Sequence, residues 1–144
     1  MREILFRGKR CDNGEWAEGF IVVSRENTYP NGFEMITVDG INYDELDNYI
    51  PDFTSYAVDP STIGQCTGLH DKNGKRIFEG DIVRDAETSE VGKIFFDKYT
   101  AMFVIGFENT IADFNASYNL EVIGNIYDNP ELLLNEENGG RENE

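Results

Sequence analysis

Turn dipeptides cut this chain into apolar runs too short to be helices, and that rhythm constrains its fold more than any other feature. Asp12-Asn13-Gly14 separates the run 4–10 from 16–24, a hairpin signature, and Asn31-Gly32 and Asp39-Gly40 bracket the short run 35–38. Asp71-Lys72-Asn73-Gly74 precedes 75–78, and Glu79-Gly80-Asp81 leads into Ile82-Val83-Arg84. Asn, Asp and Gly tolerate the backbone conformations that tight turns demand. Further on, 91–96, 101–107 and 120–126 are again apolar-rich and separated by polar turns. Strands this short at such spacing predict a mainly β chain built as a small antiparallel barrel or sandwich. Gly19, inside the second run, suggests a bulge or a close backbone approach.

Three segments depart from the pattern. In INYDELDNYIPDF, Tyr43, Leu46 and Ile50 recur at helical spacing and Pro51 closes the segment, which predicts a short helix near 43–50. Asn129-Pro130-Glu131 has the order of an N-cap, a first-turn proline and an acid at the positive helix end, with Leu132, Leu133 and Leu134 following. A short C-terminal helix is expected near 130–134. The last ten letters, NEENGGRENE, lack apolar side chains, so 135–144 reads as a disordered acidic tail.

The chain's 144 residues suit one domain or two small lobes. With 10 Phe, 7 Tyr and 1 Trp it stands outside the disordered class despite its charge. That charge is −16, from 12 Lys plus Arg against 28 Asp plus Glu, and a phosphate backbone is repelled unless the few bases gather on one face. Nucleic acid is therefore disfavoured as a partner. Two cysteines, Cys11 and Cys66, are too few for a disulfide framework and suit a reducing compartment, with pairing between them left open. No run approaches the roughly 18 apolar residues of a membrane span, and the first residues lack a signal-peptide core, so a cytoplasmic protein away from membranes is expected.

The glycine-rich stretch 63–83, IGQCTGLHDKNGKRIFEGDIV, looks like a site and fails each test of one. A phosphate loop needs two glycines four residues apart followed by Lys and a hydroxyl; here five residues separate Gly68 from Gly74, and Arg76 follows Lys75. A calcium loop begun at Asp71 meets Lys75 where an acid or amide belongs and Arg76 where glycine belongs. His70 and Cys66 lack the paired spacing of a zinc site and a third group to orient a nucleophile. The carboxylates Asp39, Asp44, Glu45, Asp47 and Asp52 resemble a solvated acidic face more than a cation site. No catalytic residue, metal or cofactor is expected, and the stretch reads as a turn-rich connector. Lys72, Lys75, Arg76 and Arg84, with Phe78 among them, form the best basic and aromatic patch for a partner.

Three blocks resemble the YopX-like proteins of phages and prophages: REILFRGK with GEWAEGFIV at 2–9 and 14–22, VDPSTIGQCTGLHDKNGKRIFEGDIV at 58–83, and LEVIGNIYDNPELL at 120–133. Cys66 departs from the aromatic common there. The resemblance implies two β-rich subdomains, 1–62 and 63–134, the second similar to an SH3-like small barrel, and oligomers among its members; it implies no activity. The expected function is a non-enzymatic interaction or assembly protein whose partner is another protein or further copies of itself. One form of it is an acidic decoy for a host nucleic-acid-binding protein in a bacterial cytoplasm. The rivals are a nucleic-acid-binding module using the 72–84 patch and a small carboxylate-dependent enzyme.

Overall fold

The turn at residues 11–13 joins β1 (Phe6–Lys9) to β2 (Trp16–Val23) in antiparallel register, from Lys9↔Trp16 to Phe6↔Gly19. The computed structural model describes residues 4–23, 33–43, 45–46, 49–116 and 118–133. The first strands continue into β3 (Phe33–Tyr43), β4 (Tyr49–Ala57), a 3-10 turn at Pro60–Thr62 and β5 (Gly64–His70). Then come β6 (Arg76–Phe78), β7 (Asp81–Asp85), β8 (Val91–Asp97), β9 (Met102–Gly106), β10 (Ile111–Asp113) and β11 (Leu120–Asn125). Every strand pair is antiparallel, and the chain is mainly β with two sheets.

The chain divides into two compact units, Ile4–Gln65 and Cys66–Glu144 with Met1–Glu3. The first sheet has the strand order β4-β3-β2-β1-β5-β6. Strict alternation along β2 sets its faces: Ala17 and Gly19 are buried, whereas Glu18, Phe20 and Val22 are exposed. Ala17 and Val58 form the centre of a small core with Phe6, Ile21, Tyr56 and Ile63 packed on it. In the second unit Val83, Ile94, Ile105 and Leu120 of the sheet β10-β9-β8-β7-β11 form one buried cluster with Ile77 of β6, and Phe107, Phe114, Tyr118 and Val122 pack against it. Each such side chain contributes roughly 1.5–3 kcal/mol by leaving water. Five short antiparallel strands around one core are compatible with the expected SH3-like barrel.

Two sequence expectations are corrected. The helix near 43–50 is a hairpin instead: β3 and β4 pair from Glu34↔Ala57 to Tyr43↔Tyr49, with residues 45–46 in the turn and Leu46 81% exposed. An eight-residue helix is shorter than the about 12–15 residues at which an isolated helix becomes even marginal, so strand pairing with distant sequence wins. The connector 63–83 likewise contains a strand, β5, which pairs with β1 through Arg7↔Gly64. Its glycines still act on the backbone. Gly68, at φ +90°, lies where the β5–β6 register slips between Cys66↔Phe78 and His70↔Arg76, so the bulge needs a residue without Cβ. Gly19 pairs in regular register with Phe6, without a bulge.

At the C-terminal end residues 131–133 are helical, with Leu132 N–H donating to Asn129 O at 3.1 Å and Leu133 N–H to Pro130 O at 3.2 Å. Leu134 and the tail 135–144 lie outside the described residues. Asp44 and Asp47 lie outside them too.

Candidate functional site

Two acids of the central block act on the backbone around them. Asp59 Oδ1 accepts the Ser61 N–H at 3.0 Å and the Ser61 hydroxyl at 2.8 Å, capping the turn that Pro60 begins. The Thr62 hydroxyl then donates to Asp59 O at 2.6 Å and accepts the Lys9 N–H at 2.9 Å, tying this turn to β1. Asp71, only 8% exposed, is the second clamp. Its Oδ1 accepts the N–H groups of Asn73 and Lys75, both at 2.9 Å, and its Oδ2 accepts Val122 N–H at 3.0 Å. The same turn donates Lys72 N–H to Leu120 O at 2.7 Å. Burial alone pushes the Asp71 carboxyl up, but the amides of Val122, Lys75 and Asn73 together outweigh it and hold the group below its ordinary value. HDKNGK is therefore a turn stapled to β11 through a carboxylate.

The predicted basic patch is partly dispersed. Phe78 is 2% exposed, so no base or partner can stack on it without opening the unit. Lys72 Nζ lies 3.4 Å from Glu121 Oε2, and Glu121 also stands in register opposite the exposed Arg84. Lys75 is exposed and Arg76 half-buried, opposite His70 on β5. Cys66 is buried and Cys11 exposed, and no disulfide joins them. Among the described residues no group of three His, Cys, Asp or Glu is placed to hold a metal ion.

A face that sequence reasoning missed lies on the side of the first sheet away from its small core, where Arg7 is buried at 8% exposure. Lys9 pairs with Trp16 and Arg7 with Glu18, so these four share the face opposite Ala17 and Val58. The Arg7 guanidinium carbon lies 4.8 Å from the Trp16 ring centre and Lys9 Nζ 5.7 Å from it. Two cations thus flank one indole, an arrangement worth about 0.5–2 kcal/mol per contact. Further along β2 on the same face, Phe20 is 52% and Val22 41% exposed. The signal was present in WAEGFIVV, where large and small residues alternate, but both faces of that strand carry apolar letters.

The backbone pairing continues outward from β2. Phe20 pairs with Ile36 and Val22 with Glu34, and β3 pairs with β2 only over residues 33–36. Beyond them β3 and β4 run on as a two-stranded ribbon, through Val38↔Phe53, Ile41↔Pro51 and Tyr43↔Tyr49. The register shifts once, between Val38 and Gly40. From Glu26 to Asp71 the sequence has neither Lys nor Arg, while Glu34, Asp39, Glu45 and Asp52 fall on or beside the ribbon.

On the opposite face of the same sheet, Arg10 lies over Tyr56 at 4.0 Å and pairs with Asp12 at 2.7 Å. The Asp12 carboxylate raises the Arg10 value and is itself lowered by the guanidinium.

Comparison with known proteins follows the same outline. A family model described as YopX protein matches residues 5–134. The crystal structure of protein EF1440 from Enterococcus faecalis is similar over 92% of this chain and 99% of that one, with 26% identity and a TM-score of 0.62. No curated protein matches the chain.

Proposed function

The chain belongs to the YopX family, and we propose that it is a phage- or prophage-encoded, non-enzymatic interaction protein whose acidic surface occupies a cationic, nucleic-acid-binding protein of the bacterial host. The observation that carries this reading is the layout of charge. Among the described residues Arg10 stands against Asp12 and Glu15, Lys72 against Glu121, and Arg84 across the strands from Glu121. The remaining acids leave a net −16, and a field of that sign draws cationic partners and repels phosphate.

The test is a pull-down of the tagged chain from host lysate at low and at moderate salt, with bound protein and bound nucleic acid analysed together. The expected result is a DNA- or RNA-binding protein, free of nucleic acid, retained at low salt and lost at moderate salt. Nucleic acid that survives removal of bound protein, and is lost when Lys75 and Arg76 are changed to Glu, overturns the reading in favour of the 72–84 patch.

A further inference from the structure

We infer that the free edge of β10 is a strand-addition site, and that it takes an extended segment of a partner protein with Lys or Arg two residues before an apolar residue. The inference rests on the reading above for the charge of the partner and adds where and how that partner docks.

The direction of the backbone groups carries the first step. Phe107 N–H donates to Thr110 O at 2.8 Å, closing a two-residue turn between β9 and β10. Antiparallel pairs alternate between those that exchange both backbone bonds and those that exchange none, so from that turn onward Ala112 bonds Ile105. Ile111 and Asp113, opposite Gly106 and Val104, then direct their N–H and C=O groups away from β9. β10 ends the order β10-β9-β8-β7-β11, and among the described residues no strand takes those groups. The other end of this sheet is covered: Leu120 O of β11 accepts Lys72 N–H at 2.7 Å, and Val122 N–H donates to Asp71 Oδ2 at 3.0 Å. One edge is therefore blocked by the 71–74 turn, whereas the other presents a row of backbone groups that an extended chain can pair with.

Side chains select the occupant. Ala112 stands opposite the core residue Ile105, so Ile111 and Asp113 lie on the other face, and both are exposed, Ile111 at 66%. An added antiparallel strand sets one residue opposite Asp113 and, two positions later, another opposite Ile111. A cation at the first position and an apolar residue at the second complement them. Glu108 is exposed in the turn that opens β10, and residues 99–119 contain no Lys or Arg. The base in the same register row, Lys93, is on β8 with β9 between it and the edge, its ammonium 5.7 Å from the Phe95 ring. A second copy is a poor occupant. Its three-residue β10 falls far short of the roughly 800 Å² per partner that a stable interface buries, and both copies carry −16. A cationic segment is drawn by that field instead.

The probe is the synthetic peptide Thr-Lys-Thr-Val-Thr, blocked at both ends and titrated at low salt against the isotope-labelled full chain, with amide hydrogen exchange read by NMR. In the free protein Ala112 N–H should exchange slowly and the Ile111 and Asp113 N–H groups fast; saturating peptide should slow the latter two by about tenfold or more. N-methylation of the peptide's Val, whose N–H faces β10, should abolish that protection. Asp113→Lys should weaken the affinity by about threefold or more while leaving the thermal midpoint within a few degrees. Ile111→Pro, which deletes an outward N–H and leaves the bonds to β9 in place, is the second variant, so that a folding defect in one leaves the other to decide.

Binding that leaves the Ile111 and Asp113 amides exchanging as before, or no binding at all, overturns the edge, and the lysate pull-down then decides the decoy reading by itself. A pull-down without a cationic protein, alongside protection of both amides by the peptide, removes the decoy reading and upholds the edge. Protection in the free protein that rises with its own concentration assigns the edge to a second copy and overturns the inference. So does equal protection by the peptide with Glu in place of Lys, or by a single-stranded oligonucleotide of thymidine.

Discussion

Asp71 shows how a residue that resembles a ligand serves the fold. It accepts three backbone N–H groups, from Asn73, Lys75 and Val122, and the last of these belongs to a strand about fifty positions away. Replacing it with Asn turns one acceptor oxygen into an NH2 group facing an amide N–H, so Asp71→Asn should cost about 2–4 kcal/mol at neutral pH, measured by urea unfolding. The pH dependence follows from the lowered carboxyl. Its folded value lies below 3.8, so its contribution is fully present above that pH and is lost as pH falls through the folded value. The gap between wild type and Asp71→Asn should therefore narrow below about pH 4; a gap that stays constant there would show that the carboxylate charge is not what the amides hold. Asp71, Asn73 and Gly74 announce a turn in the sequence, but nothing in those letters says that Val122 completes the clamp.

At the scale of elements, pairing overrides local pattern. Gly92 lies on β8 opposite Val83, and a Cβ built there would stand 2.9 Å from Ile105 Cγ2 and 3.0 Å from the backbone oxygen of Gly106. Neither neighbour is the free end of a long side chain, so Gly92→Ala should destabilise the second unit by about 1–3 kcal/mol, read as a lowered thermal midpoint. An unchanged midpoint would mean that β8 and β9 separate more easily than their register from Lys93↔Gly106 to Asp97↔Met102 implies. The strands at 6–9, 16–23, 76–78, 81–85, 91–97, 102–106 and 120–125 lie where apolar runs end in turn residues, and they were legible for that reason. β4 and β10 were not. β4 contains Pro51 and Asp52, residues that weaken a strand signal, and both it and the three-residue β10 are edge strands, where proline and short length are tolerated.

Across the whole molecule, charge sets how the fold responds to its solvent. With −16 to accommodate, the folded chain repels itself more than the expanded one does. Raising ionic strength from about 0.01 M to about 0.15 M shortens the screening length from about 30 Å to about 8 Å, and the thermal midpoint should rise. A falling midpoint would mean that ion pairs such as Arg10–Asp12 and Lys72–Glu121 stabilise more than the excess carboxylates destabilise. By itself the sequence determined the mainly β class, most strand positions, the family and the sign of the field, because turn chemistry, alternation and formal charge are local quantities that add along a chain. Only the tertiary structure decided that 43–50 is a hairpin, that 64–70 is a strand, that Phe78 is core while Phe20 is surface, and that Asp71 reaches β11. Each of those depends on which distant segment lies alongside, and a strand with apolar residues on both faces carries no local mark of which face its partner will cover.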